Sequence, residues 1–216
     1  MSTTEPRTAP RFISFEGTDG CGKTTQMRLL RERLEREGHE VVVSAEPGGT
    51  DIGRQIRAIL LDSANQAMAS RAELLLYFAS RAQAAEEVIR PALARGAYVL
   101  SDRFTDSSLA YQGVGRRLGR DTVLAVHEIA CPGLWPDLTV LLDIDLETSL
   151  QRAHKRDAAS SGPNERRLEE EAASFHQRVR EAYLQLANDE PGRVKLVDGR
   201  ADAATVAERI WNLVKP

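Results

Sequence analysis

Only two cysteines occur in the 216 residues, Cys21 and Cys131, far apart in the chain. That scarcity fits a reducing compartment better than a disulfide framework. No apolar run approaches the length a bilayer demands, and residues 1–10 lack the apolar core of a signal peptide. A basic excess is missing too: the net charge is -3, so no broad positive field exists to attract nucleic acid. The expectation is a cytoplasmic protein without membrane or nucleic-acid partners, in which any recognition of phosphate is local. Residues 1–10 read as a disordered tail, and 11–216 as a single domain large enough to bury a proper core.

What is present begins with an apolar run, Phe12-Ile13-Ser14-Phe15, that stops at a glycine-rich turn and restarts as a helical pattern. Gly17, Gly22, Lys23 and Thr24 fit G-x-x-x-x-G-K-[ST], the phosphate loop, in which backbone N–H groups wrap an anion and the lysine reaches the outer phosphates. The hydroxyl of Thr24 is then placed for Mg²⁺. The loop as a whole, Gly17-Thr18-Asp19-Gly20-Cys21-Gly22-Lys23-Thr24-Thr25, is the candidate ATP site. Met27, Leu30 and Leu34 continue at helical spacing until Gly38, a helix stop. Cys21 reads as a small side chain tolerated in the loop, with a redox switch as the less favoured alternative.

Further along, Val41–Ala45 reads as a buried parallel strand ending in Glu46-Pro47-Gly48-Gly49-Thr50. From Asp51 a helix is expected to bury Ile52, Ile56, Ile59 and Leu60, with Arg54 and Arg57 on a solvated face. Residues 70–94 form one long helical pattern in which Tyr77 and Arg81 share a face, either to stack a base and grip a phosphate or as a structural cation–π pair. Tyr98–Arg103 is a third strand with an Asp102-Arg103 end. Charged residues there meet ligands, because ligands in open α/β sheets sit outside the carboxyl ends of strands. The following Phe104–Gly113 reads as a hydroxyl- and amide-rich loop suited to base and sugar edges.

A fourth strand, Leu138–Asp143, precedes a helix from Leu146 that runs into a basic stretch. Ala158–Asn164 then separates two basic clusters, as in a mobile flap. A helix with Phe175, Val179, Ala182, Tyr183 and Leu186 inward, a strand at Val194–Asp198 and a closing helix with Val206, Ile210 and Leu213 complete the chain. Five strands alternating with helices give an α/β fold, a doubly wound five-stranded parallel sheet flanked by helices.

Phosphoryl transfer is mostly positioning and charge stabilisation, yet no further basic residue lies between Gly17 and Lys23. Other cations must come from Arg103 or from the flap, which carries Arg152, Lys155, Arg156, Arg166 and Arg167. The loop, the Glu46–Thr50 turn, Asp102-Arg103-Phe104 continuing to Ala110-Tyr111-Gln112-Gly113, and Pro136-Asp137-Leu138-Thr139 occur in that order. Together they resemble the thymidylate kinase family, from Arg11 to about Leu213.

The resemblance implies transfer of the ATP γ-phosphate to dTMP, with Mg²⁺, in a homodimer. It implies that Asp19 faces the sugar 3′-hydroxyl and that Tyr77 stacks on thymine, where the family more often has Phe and Phe78 is the alternative. Arg81 and Arg103 then hold the base and the acceptor phosphate, Ser108 and Gln112 read polar edges, and Tyr111 disfavours a 2′-hydroxyl. Thr24 and Asp102 serve Mg²⁺, with Glu169 or Glu171 as an assistant. Arg152, Arg156 and Arg167 match the bacterial type, whose lid, here about 152–168, supplies the charge missing from the phosphate loop. The alternatives are another nucleoside-monophosphate or deoxynucleoside kinase of the same fold, or a nucleotide switch. The chain lacks the N-K-x-D motif of guanine-binding switches.

Overall fold

The computed structural model describes residues 11–149, 151, 167–168 and 170–215. The expected tail at 1–10 and nearly all of the expected lid, including Arg152 and Arg156, lie outside them, as does Glu169. Five strands, β1 (Phe12–Glu16), β2 (Val41–Ala45), β3 (Tyr98–Asp102), β4 (Leu138–Asp143) and β5 (Val194–Asp198), form one sheet in the order β2-β3-β1-β4-β5. All neighbouring pairs are parallel, as the sequence predicts. The three central strands are buried almost throughout, in keeping with their near-continuous apolar runs. β2 was expected to be buried and is instead an edge strand whose Val43 is exposed.

Helices cover both faces. On one, α1 (Lys23–Arg36) and the closing helix pack Met27, Leu30, Leu34, Val206 and Ile210 against Ile13, Phe15, Leu100 and Val140 of the sheet. On the other, α3 (Ser70–Ala84) supplies Leu74 and Phe78, and the helix Ala173–Asp189 supplies Phe175, Val179 and Tyr183. α2 (Asp51–Leu61) starts where the Thr50 hydroxyl accepts the Gly53 N–H at 2.9 Å. It buries Gly53, Leu60 and Leu61, so that Ile52 and Ile59, expected inside, are exposed; on α3 Leu75 is exposed as well.

The long pattern to residue 94 is interrupted by a π turn at Ala85–Ile89 before α4 (Arg90–Ala94). The expected loop after β3 is in fact helical, α5 (Thr105–Ser108) followed by a π turn at Leu109–Gly115. Serines and threonines ordinarily compete with helix formation through local hydrogen bonds. Here each is claimed by a distant partner: Thr105 by His127, Ser107 by Glu16, Ser108 by Arg81. The next helix is α6 (Arg120–Ala130), and those at Ala173–Asp189 and Ala203–Val214 are α7 and α8. Among the described residues no helix is long and apolar enough to cross a membrane.

β1 and β3 run side by side with Phe15 opposite Asp102, so the turns that leave them, at Gly17 and Arg103, emerge at the same end of the sheet. Leu100 on β3 is wholly buried beneath that end. Leu100→Ala is expected to cost about 2–5 kcal/mol of stability, read as a lower urea midpoint with an unchanged slope. A loss under about 0.5 kcal/mol, the size typical of surface positions, would contradict this packing.

Candidate active site

The phosphate loop follows from its glycines. A Cβ on Gly17, whose φ is +129°, would sit 2.3 Å from the Leu142 carbonyl oxygen, so only glycine fits against β4. Gly22 caps α1 in the left-handed region, and a Cβ there would meet nothing within 4 Å. Neither a side-chain cap nor an acidic residue occupies the first turn of α1, leaving its N–H groups and positive dipole end open to an anion.

Lys23 is folded back onto this loop. Its Nζ donates to the Gly17 and Thr18 carbonyl oxygens, both at 3.1 Å, with Asp19 Oδ1 at 3.8 Å. Cys21 is buried beside it, and that burial pushes the thiol above its ordinary value, which disfavours a reactive thiolate. From the helical segment that begins at Leu146, Ser149 Oγ donates to the Asp19 carbonyl oxygen at 2.5 Å and lies 2.7 Å from Thr18 Oγ1. Sequence reasoning gave Ser149 no part.

Beside the loop stands Arg103, in the left-handed region at φ 71°, where a side chain is strained. Its N–H is fixed to the Phe15 carbonyl oxygen at 3.0 Å, and its carbonyl accepts from Ser101 Oγ at 2.7 Å. The guanidinium donates to Asp19 Oδ1 at 2.7 Å and to the Tyr111 hydroxyl at 3.3 Å, and lies 5.0 Å from the Tyr111 ring centroid. Burial works against the charge on Arg103, but Tyr111, Asp19, Tyr183 and Glu16 outweigh it and hold the guanidinium well above its ordinary value. Behind Arg103, Glu16 is wholly buried, and its carboxyl is pushed up first by that burial and then by Asp106.

Asp19, Arg103 and Tyr111 are therefore brought together, and a second group forms around Arg81. This arginine is 1% exposed, donates to Ser108 Oγ at 3.0 Å, and has the Phe78 and Phe104 ring centroids 4.5 and 5.3 Å from its Cζ. Arg81 thus makes its cation–π contacts with Phe78 and Phe104 rather than with Tyr77, the partner its spacing suggests.

Gln112 and Arg167 meet elsewhere, at the buried carboxylate of Glu73. Gln112 Nε2 donates at 2.8 Å, Arg167 Nη1 lies at 2.8 Å and Arg116 Nη2 at 3.0 Å. Burial alone would raise Glu73, but the bonds from Arg116 and Gln112 win and lower it. Arg167 also donates to the Leu60 carbonyl oxygen at 2.5 Å, and none of its contacts among the described residues is with the phosphate loop. Glu171, a candidate Mg²⁺ assistant, pairs with Arg116 at 2.5 Å.

Whether the remaining candidates suit a metal depends on their donor types. Thr24 is exposed on the first turn of α1, and Asp102 ends β3 opposite Phe15. Among the described residues no group of three His, Cys, Asp or Glu could hold a metal by itself. One hydroxyl and one carboxylate next to a phosphate cradle still fit Mg²⁺, which keeps several waters and takes few protein ligands beside phosphates.

Glu46 gives this site a pH signature. Its carboxylate is buried with both oxygens unpartnered, and Arg81 Nε stands 3.8 Å away. Burial raises the acid from 4.5 to about 7, with Arg81 only partly opposing. Between those values folded Glu46 binds more protons than in the unfolded chain, so its own contribution makes stability fall as pH rises from about 4.5 to 7. Glu46→Gln should abolish this slope, changing the stability difference from wild type by up to about 3 kcal/mol between pH 4.5 and 8 in urea titrations. Parallel curves for the two proteins would contradict the assignment.

Comparison with known proteins gives the family. The family described as "Thymidylate kinase" matches residues 15–210. A thymidylate kinase of Trichlorobacter lovleyi is 52% identical over 203 residues, covering 94% of this chain and 96% of that one. One from Geotalea daltonii is 54% identical over 189 residues, with 87% and 88% covered, and one from Geobacter sulfurreducens 50% over 207, with 94% and 97% covered. With its phosphate loop set against Arg103 at the carboxyl ends of β1 and β3, the chain belongs to the thymidylate kinase family.

Proposed function

We propose that the space between the phosphate loop and the Arg103–Tyr111 wall is where the γ-phosphoryl of ATP passes to dTMP, giving dTDP and ADP. The contact of Arg103 with Asp19 at 2.7 Å carries this reading, because it sets an acceptor-side cation directly against the ATP-side loop. The family membership supports the kinase activity and its two nucleotides; the alternative kinases and the nucleotide switch are not favoured.

Backbone N–H groups from Gly17 to Thr25 receive the ATP phosphates at the open N-terminus of α1, and Lys23 leaves its two carbonyl partners for the outer phosphate oxygens. Thr24 and Asp102 would hold Mg²⁺, which when bound offsets phosphate charge. On the acceptor side Asp19 takes the 3′-hydroxyl, Tyr77 stacks on the base, Arg81 and Ser108 serve its polar edges while Gln112 is held by Glu73, Tyr111 crowds the 2′ position and Arg103 pairs with the phosphate. Arg152 and Arg156 are the lid cations for the transferring group. Arg167, held by Glu73, secures the chain that follows them.

We further read the enzyme as a single-domain, cytoplasmic homodimer. Both cysteines are free and buried, as in a reducing compartment, and α2 and α3, packed on each other, expose Ile52, Ile59 and Leu75 to a second copy.

Lys23→Ala should lower kcat by on the order of a hundredfold or more, while the melting temperature stays close to wild type. Near-normal ADP release by the purified variant would remove the loop from its assigned part. A pocket that merely accommodates the 5-methyl group should prefer dTMP over dUMP by roughly 10 to 200-fold in kcat/KM. Turnover of AMP or GMP as efficient as that of dTMP would assign the chain a different acceptor.

A further inference from the structure

Tyr183 lies on α7, far along the chain from the motifs that define the site, and its side chain is 2% exposed. A buried phenol keeps its hydroxyl only if it finds partners, and this one stands among three polar groups. The hydroxyl donates to Glu16 Oε2 at 2.8 Å, lies 2.9 Å from Ser107 Oγ, and is 3.1 Å from Arg103 Nη1. Glu16 itself is surrounded by donors: the Phe104 N–H at 2.7 Å and Ser14 Oγ at 3.0 Å on Oε1, and Ser107 Oγ at 2.5 Å with Tyr183 on Oε2.

Proton counting makes the arrangement directional. Tyr183 and Ser107 each carry one hydroxyl proton. With those protons given to Glu16, only oxygen lone pairs remain to face Arg103 Nη1, at 3.1 and 3.2 Å. A guanidinium nitrogen can only donate, so Nη1 is satisfied by two acceptors whose orientation Glu16 sets. The other arm, Nη2, is thereby turned to the phosphate loop, where it meets Asp19 and Tyr111. Burial holds the Tyr183 phenol well above its ordinary value, so it remains a protonated donor.

We infer that Tyr183 is a positioning residue for Arg103, its hydroxyl oriented by Glu16 so that the guanidinium presents Nη2 to the acceptor phosphate. Tyr183 touches no reacting atom and acts only through Arg103. The inference rests on the proposed pairing of Arg103 with that phosphate, and the test separates the two.

Binding of dTMP and of thymidine, which lacks the phosphate, is measured by calorimetry for wild type, Tyr183→Phe, Arg103→Ala and the double variant. Tyr183→Phe keeps the buried ring and should weaken dTMP on the order of tenfold while thymidine affinity stays within about twofold. KM for dTMP should rise with KM for ATP unchanged. Arg103→Ala should show a larger loss with the same selectivity, and adding Tyr183→Phe to it should cause no further loss, because coupled residues are not additive.

A selective effect in Arg103→Ala with none in Tyr183→Phe, or equal weakening of dTMP and thymidine in Tyr183→Phe, overturns the inference. Unselective binding by Arg103→Ala overturns the pairing of Arg103 with the phosphate, and the inference with it. If Tyr183→Phe does not fold, Ser107→Ala, which removes the companion hydroxyl on Nη1, is read by the same criteria.

Discussion

The contact between Arg103 and Asp19 joins two turns that leave adjacent parallel strands, one the phosphate loop after β1 and the other the end of β3. Arg103 has only 15% of its side chain exposed, and a buried guanidinium is tolerated only with full pairing. Its four partners come from three places: Asp19 on the loop, Tyr111 and Ser107 after β3, and Tyr183 on α7. A cation so surrounded cannot drift without exposing or stranding a neighbour, which is how a fixed guanidinium follows from packing.

A second polar centre lies at Glu73, where Gln112, Arg116 and Arg167 converge on one carboxylate that has no exposed surface. Removing one member of such a cluster strands the others, typically at several kcal/mol. The consequence here is architectural. Arg167 is tied to α2 through the Leu60 carbonyl and to α3 through Glu73. Arg167 is read from sequence alone as one more lid cation, yet its charge is already met by Glu73.

Much of this was legible in the residues, for identifiable reasons. Each strand was visible because a parallel sheet covered on both faces demands short apolar runs, and Val41–Ala45, Leu138–Asp143 and Val194–Asp198 end where the apolar runs end. The phosphate loop was legible because Gly17 is required by a backbone approach that no other residue allows. Exposure was harder to read: Val43 and Ile52 resemble core residues, but strand order and helix rotation, which leave them at the surface, are tertiary facts. The helix at 105–115 was hidden because its serines and threonines bond to partners 20 or more residues away. Glu16 carried a usable signal, a carboxylate directly after an apolar strand, which implies buried donors somewhere; that Tyr183 would be one of them was not recoverable from spacing.

The account stands on Arg103 as the acceptor-phosphate cation beside the ATP loop. A crystal structure of the chain with dTMP and a non-hydrolysable ATP analogue tests it most directly. The account predicts an acceptor phosphate oxygen within roughly 3 Å of the Arg103 guanidinium, the distance of a charge-assisted hydrogen bond, with the ATP phosphates wrapped by Gly17–Thr25. An acceptor phosphate held away from Arg103, with the arginine still paired only to Asp19 and the tyrosines, would contradict it.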